Sequence, residues 1–123
     1  MEDRVEPTID CRDLFLRLGD DEVVVVDCRE DGDWDRFQFH VPGALRMSPR
    51  ELKEAADILP DDELIVLCGV ADDGSDMRKA YRQLQVRGIQ AVLLTGGLRE
   101  WISYGFPIER MQAAGISYGI AHG

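Results

Sequence analysis

The chain has 123 residues, 45% of them hydrophobic and 31% charged. That is enough for one domain burying about two-thirds of its unfolded surface, and it excludes a disordered or fibrous chain. Fourteen basic against 24 acidic residues leave a net charge of −10, which argues against nucleic acid or an anionic membrane as the main partner, since both need a positive footprint.

The start, Met1 to Pro7, is polar and acidic, with neither the basic nor the apolar region of a signal peptide. Thr8 suits a helix N-cap, followed by Leu14, Phe15 and Leu18 before Gly19 and two aspartates stop the helix. Val23 to Val26 is a β-branched run fit for a strand buried on both faces, and Asp27-Cys28-Arg29-Glu30 leaves it. Trp34, Phe37 and Phe39 fall in a polar stretch expected to make a short helix and a loop. Ala44 to Met47 is a weak strand. Ser48-Pro49-Arg50-Glu51 is a helix start with a capping box, and Leu52, Ala55, Ala56 and Leu59 give that helix an apolar face.

Leu64 to Leu67 is a second buried strand. A loop from Cys68 to Gly74 leads to Ser75, the expected N-cap of a helix carrying Met77, Ala80, Tyr81 and Leu84 and ending at Gly88. Ala91 to Leu94 is a third buried strand, and Gly96-Gly97 turns into a last helix with Leu98, Trp101 and Ile102, closed by Gly105 and Pro107. This alternation predicts an α/β fold with a mostly parallel central sheet and helices on both faces. The domain is expected over residues 5–110, with 111–123 a tail of no assigned role. The longest apolar runs fall far short of the ~18–20 residues of a membrane span. Three cysteines in no metal-binding spacing predict free thiols and a cytoplasmic protein, with no disulfide framework, zinc site or organic cofactor.

Ligands in open α/β sheets bind at the carboxyl ends of strands. One such end carries a nucleophile, Cys68. Backbone N–H groups of the following loop and a helix N-terminus are expected to favour its thiolate and to cradle an anion. The competing reading is a small buried apolar residue at a strand end.

Three segments carry a family likeness. Val24-Val25-Val26-Asp27-Cys28-Arg29-Glu30 resembles a signature strand ending in Asp-x-Arg. His40-Val41-Pro42-Gly43-Ala44 is similar to His-Ile-Pro-Gly-Ala, and Gly96-Gly97-Leu98-Arg99-Glu100-Trp101 with Gly105-Phe106-Pro107 follows a Gly-Gly-x-x-x-Trp…Gly-x-Pro pattern. Together they resemble a single rhodanese-like domain over about residues 5 to 110. The resemblance implies a sulfurtransferase. Cys68 would take a sulfane sulfur from thiosulfate or a protein persulfide carrier, hold it as a persulfide, and pass it to cyanide or a thiol. The main chain of Gly69, Val70, Ala71, Asp72, Asp73, Gly74 and Ser75 would stabilise the persulfide charge.

Cys68 to Asp76 departs from that pattern. It lacks the Arg that often follows the cysteine and four variable residues, runs about three residues longer than the common form, and carries Asp72, Asp73 and Asp76. Those carboxylates raise a thiol pKa and repel thiosulfate. Gly74 stands where a phosphatase-like relative would need its phosphate-gripping Arg, which argues against phosphoryl chemistry. The alternative is therefore a non-catalytic rhodanese-like module that binds or regulates a protein. Asp27 and Arg29 are read as a structural charge pair beside the site, His40 as a turn-fixing hydrogen bonder, Cys28 as a packing residue and Cys11 as remote.

Overall fold

The computed structural model describes residues 6–20 and 22–110, apart from the side chain of Asp35. The expected start at Val5, the tail 111–123 and His122 lie outside the described residues. In chain order the elements are β1 (Thr8–Ile9), α1 (Cys11–Arg17), β2 (Val23–Asp27), α2 (Asp31–Arg36), β3 (Phe39–His40), β4 (Leu45–Arg46), α3 (Pro49–Ala55) with a 3-10 turn at Ala56–Ile58, β5 (Leu64–Cys68), α4 (Ser75–Gln85), β6 (Ala91–Leu94), α5 (Gly97–Ser103) and β7 (Glu109–Arg110).

Five strands form one sheet in the order β1-β6-β5-β2-β4, every pairing parallel. The centre is β5 flanked by β2 and β6, the three apolar runs of the sequence. Val26, Val66 and Leu67 there are fully buried, which a parallel strand covered on both faces requires. Chain progression from β1 to β2 runs one way across the sheet, and from β4 through β5 to β6 the other way. Right-handed crossovers therefore place α1 on one face and α3 and α4 on the opposite one. The ring of Phe15 in α1 meets that of Trp101 in α5 edge-on at 6.4 Å, so α5 shares the face of α1. The α/β layout with helices on both faces is present as expected.

Local signals account for most boundaries. Ser48 accepts from Glu51 N and Glu51 reaches back to Ser48 N, the capping box complete with Pro49 in the first turn. Two expected caps are displaced. Thr8 does not cap α1; it pairs with Leu93 at the sheet edge, and Asp10 caps the helix by accepting from Asp13 N at 2.8 Å. Main-chain pairing won because Pro7 and Ile9 carbonyls take the N–H groups of Leu93 and Thr95. Ser75 is the first helical residue of α4, and Gly74, with φ of 72°, is its N-cap. The Ser75 N–H is instead bound by the Asp73 carboxylate at 2.9 Å. A small antiparallel ribbon joins β3 to β7, bringing the His40 segment against the residues after α5. Two-residue strands are too short for a period to show in sequence.

Candidate functional site

The site lies at the carboxyl end of β5. In register, Cys68 pairs with Asp27 at the end of β2, so two adjacent strand ends bring together the thiol, the Asp-x-Arg segment and the loop 69–74. Asp27 is 1% exposed and Arg29 0%. The Arg29 guanidinium grips both Asp27 oxygens, Nε to Oδ1 at 2.9 Å and Nη2 to Oδ2 at 2.6 Å. It also donates to the carbonyls of Phe37 and Phe39, and its centre lies 3.8 Å from the middle of the Trp34 ring. Every charge here is matched inside the protein, as a buried charge must be. The pair therefore ties the end of β2 to the segment leading into β3.

Cys68 is wholly buried. Its carbonyl accepts from Cys28 N at 2.9 Å and from the Cys28 thiol at 3.3 Å. Burial pushes the Cys68 thiol well above 9.0, and the Asp27 charge pushes it further; Arg29 pulls it down and Asp76 raises it again. The thiolate-favouring environment expected from a helix N-terminus is therefore reversed. The N-terminus of α4 faces a carboxylate. Cys28, buried with its thiol near the Asp76 carbonyl at 3.8 Å, is likewise raised, by burial first and by Asp76 next.

That carboxylate is Asp76, in the first turn of α4 and 2% exposed. Its Oδ2 accepts from Val70 N at 2.9 Å and Ala71 N at 3.2 Å, and its Oδ1 from Met77 N at 2.8 Å. Two N–H groups of the loop, those of Val70 and Ala71, thus hold a carboxylate of the chain itself. Gly69 is glycine because a Cβ there would strike this carboxylate, within 2.5 Å of Oδ2. Of the other expected cradle residues, Gly74 N–H is bound to Ala71 O and Ser75 N–H to Asp73, which stands outside the cradle.

The loop's carbonyls are held from the other side. Gly69 O accepts from Leu98 N at 2.8 Å. Gly97 lies so close that a Cβ on it would sit 2.5 Å from Gly69 O; this contact is the physical content of the Gly96-Gly97 motif. Arg99 donates through Nε to Val70 O at 2.8 Å and pairs with Asp72 at 3.1 Å. Arg78 donates to Asp73 O at 2.6 Å, while Lys79 goes to Glu30 at 3.2 Å. Arg99 escaped the sequence reading because it is 31 residues beyond Cys68 in the chain. Its signal was the adjacency of β5 and β6, whose following segments share one end of the sheet. His40 lies with Nδ1 2.9 Å from Val41 O.

Behind the loop an open cleft of about 680 Å³ is lined by Asp73, Met77, Arg78, Thr95, Arg99 and Ser103 among others. A second, of about 290 Å³, lies between Asp33, Arg36, Phe37, Val70 and Arg99. Cys68 lines neither. Among the described residues no cluster of three or more His, Cys, Asp or Glu could hold a metal ion, and no helix is long and apolar enough to cross a membrane.

The sequence pattern of the family described as Rhodanese-like domain matches residues 9–104. No curated protein matches this chain. Among solved structures, a protein from Bacillus halodurans is similar with a TM-score of 0.76 at 18% identity, over 94% of this chain and 86% of that one. A rhodanese-like domain from Anabaena sp. is similar with a TM-score of 0.69 at 27% identity, over 95% of this chain and 92% of that one. A thiosulfate sulfurtransferase from Pseudomonas aeruginosa is similar with a TM-score of 0.71 at 25% identity over 91% of this chain, which spans 21% of that enzyme.

Proposed function

We propose, given that the chain belongs to the rhodanese-like domain family, that it serves as a protein-binding module whose loop is closed to small anionic sulfur donors. One observation carries this reading. The Asp76 carboxylate fills the N–H cradle in which the charge of an incoming donor would sit, beside a fully buried Cys68. A second carboxylate-bearing or sulfonate-bearing anion brought to the same N–H groups would meet a like charge in a desolvated space, where Coulomb repulsion is strong. The surface left for recognition is the rim of the loop, where Asp72 and Asp73 are exposed. The chain charge of −10 favours basic partner surfaces.

The test is intact mass after incubation with thiosulfate, with Cys68→Ser alongside. Sulfur loading would require the Cys68 thiolate to attack the sulfane sulfur, forming an S–S bond as sulfite departs. The expected result is no gain. A gain of one sulfur that is absent in Cys68→Ser and discharged by cyanide would overturn the proposal and establish a sulfurtransferase. That second reading has one observation in its favour. Cys68 stands at the strand-end position of the family's nucleophile, with only Gly69 between it and the Val70 N–H. It requires a protein persulfide carrier that displaces the loop, and the same mass assay with a persulfidated carrier protein as donor probes it.

A further inference from the structure

We propose that the amino end of the central sheet carries a docking groove for an extended, basic segment of a partner protein, whose apolar side chains meet the groove floor and whose lysine or arginine side chains meet its acidic rim. This surface lies at the end of the sheet opposite Cys68, so the inference goes beyond the loop and holds whatever the thiol does. Two open clefts meet there. One, of about 850 Å³, runs from Leu59 and Pro60 past Asp61, Asp62 and Glu63 to Leu64 and Ile89. The other, of about 510 Å³, runs from Leu64 and Ile89 past Tyr81 and Val92 to Pro7. They share Leu64, Gly88, Ile89 and Gln90, and so form one groove across the starts of β5 and β6. The turn after α4 shapes it. Gly88 takes a φ of 75°, and the Ile89 N–H returns to Leu84 O at 3.0 Å, which closes the helix and folds Ile89 back over its end. Leu64, Tyr81, Ile89 and Val92 pack against the core on one side and stay half-buried, which leaves an apolar floor.

The rim has one sign. Asp57, Asp61, Asp62 and Glu63 line the first cleft, and among the described residues no Lys or Arg lines either cleft. Asp57 is matched by Arg87 at 2.9 Å. Asp61, Asp62 and Glu63 form no ion pair among the described residues. These carboxylates do not converge on one point, since no group of three or more could hold a metal ion among the described residues. Separate charges beside an apolar floor suit a segment that alternates apolar and basic side chains, as an extended chain presents them with a period of two. The occupant is another protein because this chain cannot supply the cations. A second copy brings a charge of −10 to the same face, residues 111–123 contain no Lys or Arg, and residues 1–5 hold two carboxylates and one Arg.

The experiment follows fluorescence anisotropy of two labelled peptides, one alternating leucine with lysine and one alternating serine with lysine. Each is titrated with wild type, with a groove variant (Asp61→Asn, Asp62→Asn, Glu63→Gln) and with a control variant (Asp13→Asn, Asp31→Asn, Glu109→Gln). Both variants change the net charge equally, but the control residues do not line the groove. The leucine peptide is expected to bind the wild type about tenfold more tightly than the serine peptide, through the apolar floor. It should lose about tenfold in affinity to the groove variant and about twofold at most to the control. Equal affinity for the two peptides, equal losses in the two variants, or no saturation below ~1 mM protein would each overturn the proposal. Heteronuclear NMR of the wild type, which needs no variant to fold, should place the shifted amides at Leu64, Ile89, Gln90 and Val92. Shifts confined to residues 69–74 would overturn the groove and leave the reading of the loop rim standing. Sulfur gain from thiosulfate would do the reverse, since the groove does not depend on the loop.

Discussion

Replacing Arg29 with Met would strip four hydrogen bonds from the fully buried end of β2: two to Asp27 and one each to the carbonyls of Phe37 and Phe39. Asp27, 1% exposed, would lose its cation. An uncompensated buried charge of this kind costs about 3–5 kcal/mol. The two carbonyls lie nearer solvent, and losing their donor adds roughly 1 kcal/mol each. The Met side chain would retain contact with Trp34, so little apolar packing is lost. The sum is on the order of 5–7 kcal/mol, against a whole-domain stability of roughly 6–18 kcal/mol for a chain this long. Thermal unfolding followed by circular dichroism should show Arg29→Met unfolded in water or with its Tm lowered by about 20 °C. The argument also fixes the sign of a coupling. Adding Asp27→Asn to Arg29→Met removes the stranded charge and should recover about 2–3 kcal/mol relative to the single variant. A loss below about 1 kcal/mol for Arg29→Met, or a double variant less stable than Arg29→Met, would show that the pair does not hold the strand end.

Two further outcomes are expected. The three buried thiols retain their protons more tightly than an ordinary thiol at 9.0, Cys11 being pushed up to about 11, by burial first and then by Glu100 and Asp10, and Cys28 and Cys68 well above 9.0. Above pH 9 the native state therefore binds more protons than the unfolded chain, so stability is fully present below pH 9 and falls as pH rises toward 11. Urea midpoints at pH 8 and pH 10.5 should show this fall, with Cys11→Ala less steep; midpoints that hold or rise would contradict it. Gly97→Ala should cost about 2–4 kcal/mol, because φ there is 60° and the new Cβ would lie 2.5 Å from Gly69 O, combining left-handed strain with a forced loop shift. Heteronuclear NMR should then show displaced amides at Val70 and Ala71, and a variant with wild-type stability and unshifted loop amides would refute the contact.

Features visible in the linear order of this chain share a physical cause: they depend on residues within one strand or one turn of helix. The valine run before Asp27, the run before Cys68 and the run at Ala91–Leu94 each read as strands because both faces are apolar, and the capping box at Ser48 and Glu51 spans three residues. The Asp27–Arg29 pair was legible because its members are two residues apart. So was the place of Cys68 at the end of a strand, since the end of a buried strand is set by the strand itself. Thr8 was misread because a lone polar residue before a helix looks the same whether it caps the helix or pairs with Leu93 from another part of the chain.

Tertiary structure alone decided the state of the site. In the sequence, Asp72, Asp73 and Asp76 are three like charges near a thiol. Only the turn of the loop at Gly69, and the seating of its carbonyl on Leu98 N, sort them into two at the rim and one inside the cradle. The thiol's protonation followed from the same packing, since desolvation depends on everything around a group and a helix N-terminus stabilises whichever anion lies nearest to it. Here the nearest anion is Asp76, held by the Val70, Ala71 and Met77 N–H groups.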